Sequence, residues 1–76
     1  MDAFLRYVIE KLVEYPDELV ITHQMADDRT VYYLAMRKTD LPKVIGKGGH
    51  TIQALRTLLQ ASAQKKGIHV GLEVIE

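Results

Sequence analysis

Between Val44 and Ile52 the chain reads Val-Ile-Gly-Lys-Gly-Gly-His-Thr-Ile, a Gly-x-x-Gly turn set between a short apolar segment and a long amphipathic stretch. Gly46 and Gly49 can take backbone conformations closed to other residues. A tight glycine turn at the start of a helix leaves several N–H groups free to meet an anion. Lys47 adds a mobile positive charge at the tip. The chemistry this favours is contact with phosphate.

Other chemistries fit poorly. A dinucleotide fingerprint needs Gly where Thr51 stands, and an NTPase loop needs Gly-Lys-Ser/Thr where Gly46-Lys47-Gly48 stands. His23, His50 and His69 are far apart in sequence and no cysteine is present, so no zinc ligand set emerges. The carboxylates fall mainly in the first helix and the hairpin, with no pair spaced for acid-base catalysis. The expectation is a protein that is not an enzyme and carries no cofactor or metal.

Seventy-six residues make one small domain, expected over 1–76, with little room for an enclosed active site. The lack of cysteine suits a reducing compartment. No stretch approaches the ~20 apolar residues of a membrane span, nor does Met1 open a secretory leader. A cytoplasmic protein is expected. Formal net charge is zero, which taken alone argues against a nucleic-acid binder. The charge is unevenly distributed, however. Residues 1–38 carry five basic and seven acidic side chains, and residues 39–76 carry five basic and three acidic. Nothing acidic lies between Asp40 and Glu73, whereas Lys43, Lys47, Arg56, Lys65 and Lys66 do.

The elements that must position the loop follow from periodicity. Met1, Phe4, Leu5, Val8, Ile9, Leu12 and Tyr15 share one helical face, predicting a helix over 2–14 with Asp2 as N-cap and Pro16 as its stop. The runs 19–25 and 31–38, rich in β-branched residues and tyrosine, predict a hairpin across 26–30. In the second run Tyr32, Leu34 and Met36 share one face and Val31, Tyr33, Ala35 and Arg37 the other; the Leu34 face is the expected core face. Asp40 and Pro42 signal a short helix, with Asp40 as cap, that ends at the glycine turn. A long helix over 50–66 follows, stopped by Gly67, and an alternating strand over 68–75 places Val70, Leu72 and Val74 on one side.

The order helix, strand, strand, helix, Gly-x-x-Gly, helix, strand, together with Ile45, Gly46, Gly49 and Ile52 in the pattern I-G-x-x-G-x-x-I, resembles the KH domain. The resemblance is to the type II KH fold, an α+β domain with a three-stranded mixed sheet covered on one face by three helices. Length and the segment Val44 to Leu59 are similar to the small stand-alone bacterial KH proteins of the KhpA type. Gly48, in the second variable position, departs from charged loop tips and adds flexibility. The resemblance implies that Gly46, Lys47, Gly48 and Gly49 contact the sugar-phosphate backbone of single-stranded RNA beside an apolar groove. Val44, Ile45 and Ile52 then either line that groove or pack beneath it. Lys43, His50 and, less directly, Arg56 are placed to reach phosphates. The implied role is that of a bacterial RNA chaperone or post-transcriptional regulator.

A second function class rests on the long helix. Ile52, Leu55, Leu59, Ser62 and Ala63 form a core stripe, while Ala54, Leu58 and Ala61 cluster about 180° to 240° round the helix from Ile52. This second stripe either meets the first helix or presents an apolar surface to a partner. The family resemblance implies pairing with itself, as a homodimer, or with a larger KH-containing protein of the Jag or KhpB type. In that reading the chain is mainly a protein-interaction module.

Overall fold

The computed structural model describes residues 2–75, without the side chain of Asp2. The expected packing of Met1 and capping by Asp2 lie outside what is described. Six elements follow in the order α1 (Asp2–Leu12), β1 (Val20–Ala26), β2 (Arg29–Ala35), α2 (Leu41–Ile45), α3 (His50–Gln64) and β3 (His69–Val74). The fold is α+β, a type II KH arrangement in which the sheet has order β1-β2-β3. β1 and β2 are antiparallel and β2 and β3 parallel, so the sheet is mixed. The parallel pair needs a crossover, and α2, the glycine loop and α3 supply it.

Register fixes which residues meet the helices. Ile21, Leu34 and Val74 lie side by side, as do Tyr32 and Leu72, and these point to the core with Val70. The Leu34 face is therefore the buried one, as expected. The helices close over it with Leu5, Ile9 and Val13 from α1 and its exit, Val44 from α2, and Ile52, Leu55, Leu59 and Ala63 from α3. Each large aliphatic buried in this way stabilises the fold by about 1.5–3 kcal/mol relative to exposure.

Several expectations are corrected. The buried stripe of α1 is centred on Leu5, Ile9 and Val13, so Phe4 swings out to 46% exposure. The helix stops at Leu12 rather than Glu14, ahead of Pro16. The physical cause is Asp40, whose carboxylate accepts the N–H groups of Glu14 and Tyr15 at 3.0 and 3.1 Å and so removes them from the helical ladder. For the same reason Asp40 does not cap α2. The hairpin is tighter than read: Ala26 pairs with Arg29, leaving Asp27 and Asp28 as the turn, with Asp27 at φ 53°. Aspartate is among the few residues that tolerate this region. β2 ends at Ala35, and residues 38–40 form a 3₁₀ turn into α2. Ser62, placed in the core stripe by angle, is exposed because the stripe narrows to Leu59 and Ala63 at that end of α3.

Gly67, at φ 73°, ends α3 as expected. The N–H groups of Gly67 and Ile68 donate back to the carbonyls of Gln64 and Ala63, satisfying acceptors the last turn leaves open. No helix of the described residues is long and apolar enough to cross a membrane.

Candidate nucleic-acid interface

α2 has only five residues, too few to be stable alone, and is held by its ends and by Val44. Pro42 stands in its first turn, where the missing N–H costs nothing. Its C-terminus closes through Gly46, whose N–H donates to the Pro42 carbonyl at 2.8 Å. Gly46 then takes φ 80°, ψ 168°, a region essentially reserved for glycine. A Cβ there would lie 2.3 Å from Thr51 Oγ1 and 2.9 Å from the Thr51 nitrogen, so the turn packs directly on the first turn of α3. Gly48 and Gly49 are left-handed as well, at φ 64° and 78°. The loop is closed internally by Gly49 N–H to the Gly46 carbonyl, 3.0 Å, and His50 N–H to the Lys47 carbonyl.

The resulting tip presents Lys47 and Gly48 to solvent in front of the N-terminus of α3. That helix is 15 residues long and has no side-chain cap, leaving first-turn N–H groups and the positive end of its dipole toward the loop. The exposed His50 lies beside the tip, its Nε2 3.7 Å from where a Cβ on Gly48 would stand. Next to the turn runs a shallow cleft lined by Lys38, Leu41, Pro42, Ile45 and Gly46. Its surface is mostly aliphatic, which suits the flat face of a base, while the loop beside it suits phosphate.

The structure divides the expected contact residues. Gly46, Lys47, Gly48, Gly49 and His50 come together at the loop, and the half-buried Ile45 lines the cleft. Val44, at 0% exposure, is a core residue that supports the cleft from beneath. Ile52 is likewise buried. Lys43 is engaged elsewhere: its Nζ lies 3.5 Å from both Glu14 Oε1 and Asp40 Oδ1. Arg56 donates from Nε to the Leu72 carbonyl at 3.0 Å, tying α3 to β3 rather than reaching the loop.

Lys38 was not among the residues that spacing brought forward. Among the described residues neither Lys38 nor Lys47 has a carboxylate in ion-pair range, whereas Arg37 pairs with Glu18. Two unpaired ammonium groups thus flank the cleft and the loop. The available signal was the Arg37-Lys38 pair directly ahead of the Thr39-Asp40 helix start, where a strand hands the chain to the helix that carries the glycine turn. Among the described residues no cluster of histidine and carboxylate side chains is arranged to hold a metal ion.

Asp40 is the one fully buried charged side chain described. Burial pushes its carboxyl up, but the N–H bonds from Glu14 and Tyr15 and the nearby Lys43 outweigh that and hold it below the usual aspartate range. It is ionised at neutral pH.

The glycine loop, its flanking helices and the sheet order coincide with a known family. A family model described as KhpA/KhpB, KH domain, matches residues 2–74. The chain belongs to this family. The KH domain accounts for nearly its full length, and the relatives agree. The chain is 41% identical over 76 residues to "RNA-binding protein KhpA" of Chlamydia pneumoniae, covering 100% of this chain and 97% of that protein. It is 36% identical to the protein of the same name in Listeria monocytogenes, with both chains covered in full. The counterpart from Oceanobacillus iheyensis is 33% identical over 75 residues, covering 99% of this chain and 100% of that one.

Proposed function

We propose that this chain, as a single KH domain in the bacterial cytoplasm, binds single-stranded RNA and clamps its backbone at Gly46–Gly49. Bases lie in the cleft of Lys38, Leu41, Pro42 and Ile45. The observation that carries the reading is the backbone of the loop: three left-handed glycines open the space in front of an uncapped helix N-terminus, with an unpaired Lys47 at its tip. Relatives named as RNA-binding proteins over their full length support it. Such a clamp grips any sequence through its backbone, the property needed in an RNA chaperone or post-transcriptional regulator. It needs neither cofactor nor catalytic group.

Few charges meet the RNA, so binding is weak and shallow in salt. Affinity for a short single-stranded oligonucleotide is expected at about 10⁻⁴ to 10⁻⁶ M. With two to four phosphates neutralised, the log-log slope against salt is expected at roughly −1.4 to −2.8. Fluorescence anisotropy across a salt series measures both. No detectable binding at low salt by a demonstrably folded protein overturns the proposal.

A second reading, pairing with another copy or with a larger KH-containing protein of the Jag or KhpB type, is favoured by one observation. Leu58 is 56% exposed, and Ala54 and Ala61 are exposed on the same face. Leu58 shares a dimple with Phe4, Leu59, Ser62 and Lys66. Small residues around one leucine allow close approach of a second helix. Leu58→Glu is therefore expected to leave the fold intact, as an exposed site changes stability by about 0.5 kcal/mol or less. It should turn a dimer into a monomer by placing a charge in an apolar contact. Analytical ultracentrifugation with circular dichroism reads both, and a wild-type protein that is already monomeric and takes up no KH-containing partner removes this reading.

A further inference from the structure

α2 must point its exposed face into the cleft and deliver Gly46 in the right direction, yet it is one and a half turns long. Val44 is buried in the core and Ile45 packs partly against it, but both stand in the C-terminal half of the helix and leave its start to be fixed by something else. A second anchor sits at the helix start. The Asp40 carboxylate, fully buried, takes the N–H of Glu14 on one oxygen and that of Tyr15 on the other, while its own N–H donates to the Arg37 carbonyl at 2.8 Å. It thus joins the exit of α1, the end of β2 and the start of α2 in one knot. An ionised carboxylate, acceptor only, is the side chain suited to two converging donors.

We infer that Asp40 is a positioning residue for the glycine loop: through its grip on the Glu14 and Tyr15 N–H groups it sets the direction in which α2 presents Ile45 and Gly46. Asp40 does not touch RNA itself. The surrounding contacts reinforce the knot. Arg37 stacks on the Tyr15 ring at 3.7 Å from its centroid, holding the residue whose N–H Asp40 accepts. Lys43 bridges Glu14 and Asp40 from the first turns of α2. The inference rests on the reading of the loop as the RNA contact.

The test compares Asp40→Asn with a control of similar stability loss remote from the knot, Ala63→Gly at the far end of α3. An amide keeps one acceptor but turns an NH₂ toward the second N–H. Asp40→Asn is expected to weaken binding of a single-stranded oligo(U) by roughly tenfold under conditions where circular dichroism shows the protein folded. Ala63→Gly should lower the melting temperature and leave affinity unchanged. Equal affinity in folded Asp40→Asn and wild type overturns the inference, as does an equal loss in the control.

Should Asp40→Asn fail to fold, hydrogen exchange on the wild-type protein decides. Saturating oligo(U) should slow exchange at the Glu14 and Tyr15 amides by a larger factor than across β1, because only the knotted state presents the loop. Slowing no greater than in β1 overturns the inference. A wild-type protein that binds no oligo(U) at all overturns the RNA reading instead, so the two failures are distinguishable.

Discussion

Gly46→Ala is expected to remove most of the protein's stability. The new methyl group would meet Thr51 Oγ1 at 2.3 Å, Thr51 Cβ at 2.7 Å and the Thr51 nitrogen at 2.9 Å. A hydroxyl can rotate away, but the Cβ and nitrogen move only if the first turn of α3 moves. To this clash is added the backbone, since φ 80°, ψ 168° lies where residues with a side chain are strained by about 1–3 kcal/mol. Together the two effects should cost about 3 kcal/mol or more, against a total of about 5 kcal/mol expected for a domain of this size. Gly49 is the internal control. It too is left-handed, at φ 78°, but a Cβ there meets nothing within 4 Å, so Gly49→Ala should cost only the 1–2 kcal/mol of left-handed backbone. Urea unfolding followed by circular dichroism separates them: a large fall in midpoint for Gly46→Ala and a moderate one for Gly49→Ala. Equal midpoints would show that the packing of the turn on α3 is not what fixes Gly46.

Replacing Lys47 and Gly48 together by aspartate is expected to abolish RNA binding while the protein stays folded. The exchange replaces the Lys47 ammonium at the loop tip by a carboxylate and adds a second one at Gly48, both facing the proposed phosphates. Affinity at low salt should fall by more than tenfold, which corresponds to about 1.4 kcal/mol or more. The fold should survive. Both side chains stand in solvent, and although Gly48 is left-handed at φ 64°, ψ 16°, aspartate is one of the residues that accept this conformation at about 1–2 kcal/mol. Negative charge before the N-terminus of α3 returns part of that through the helix dipole, about 0.3–1 kcal/mol. Fluorescence anisotropy with a single-stranded oligonucleotide and urea unfolding measure the two sides. Unchanged affinity in a folded variant would show that the loop is not the contact surface.

The comparison of Lys43 with Lys38 shows how far spacing carries. Lys43 stands three residues before Gly46, a spacing that places it to reach phosphate; in the fold it faces Glu14 and Asp40. Lys38 carries no such signal in the sequence, but the 3₁₀ turn over 38–40 brings it to the edge of the cleft, with no carboxylate in ion-pair range among the described residues. A charge in the sequence has a sign and a neighbourhood along the chain. Whether it is free to meet a ligand depends on residues distant in sequence, here Glu14 at the end of another helix.

What the sequence by itself determined was everything written in local periodicity and special residues: six elements in order, the glycine turn, the stop at Gly67, and the split of α3 into a buried face and a second apolar stripe. These are legible because side-chain period and backbone permissiveness act over a few residues. What only the tertiary structure decided were the pairings between distant segments. Asp40 looked like a cap for its own helix because Asp before Pro is a local signal, yet its carboxylate is spent on N–H groups about 25 residues earlier, which also shortened α1. The stripe of Leu58 could by sequence meet the first helix or face a partner, and Phe4 shared the apolar face of that helix; in the fold both stand exposed around one dimple. Short-range preference proposes a partner for each polar group and each apolar stripe, and packing of the whole chain chooses among them, because burial and hydrogen bonding are satisfied only across segments that the sequence places far apart.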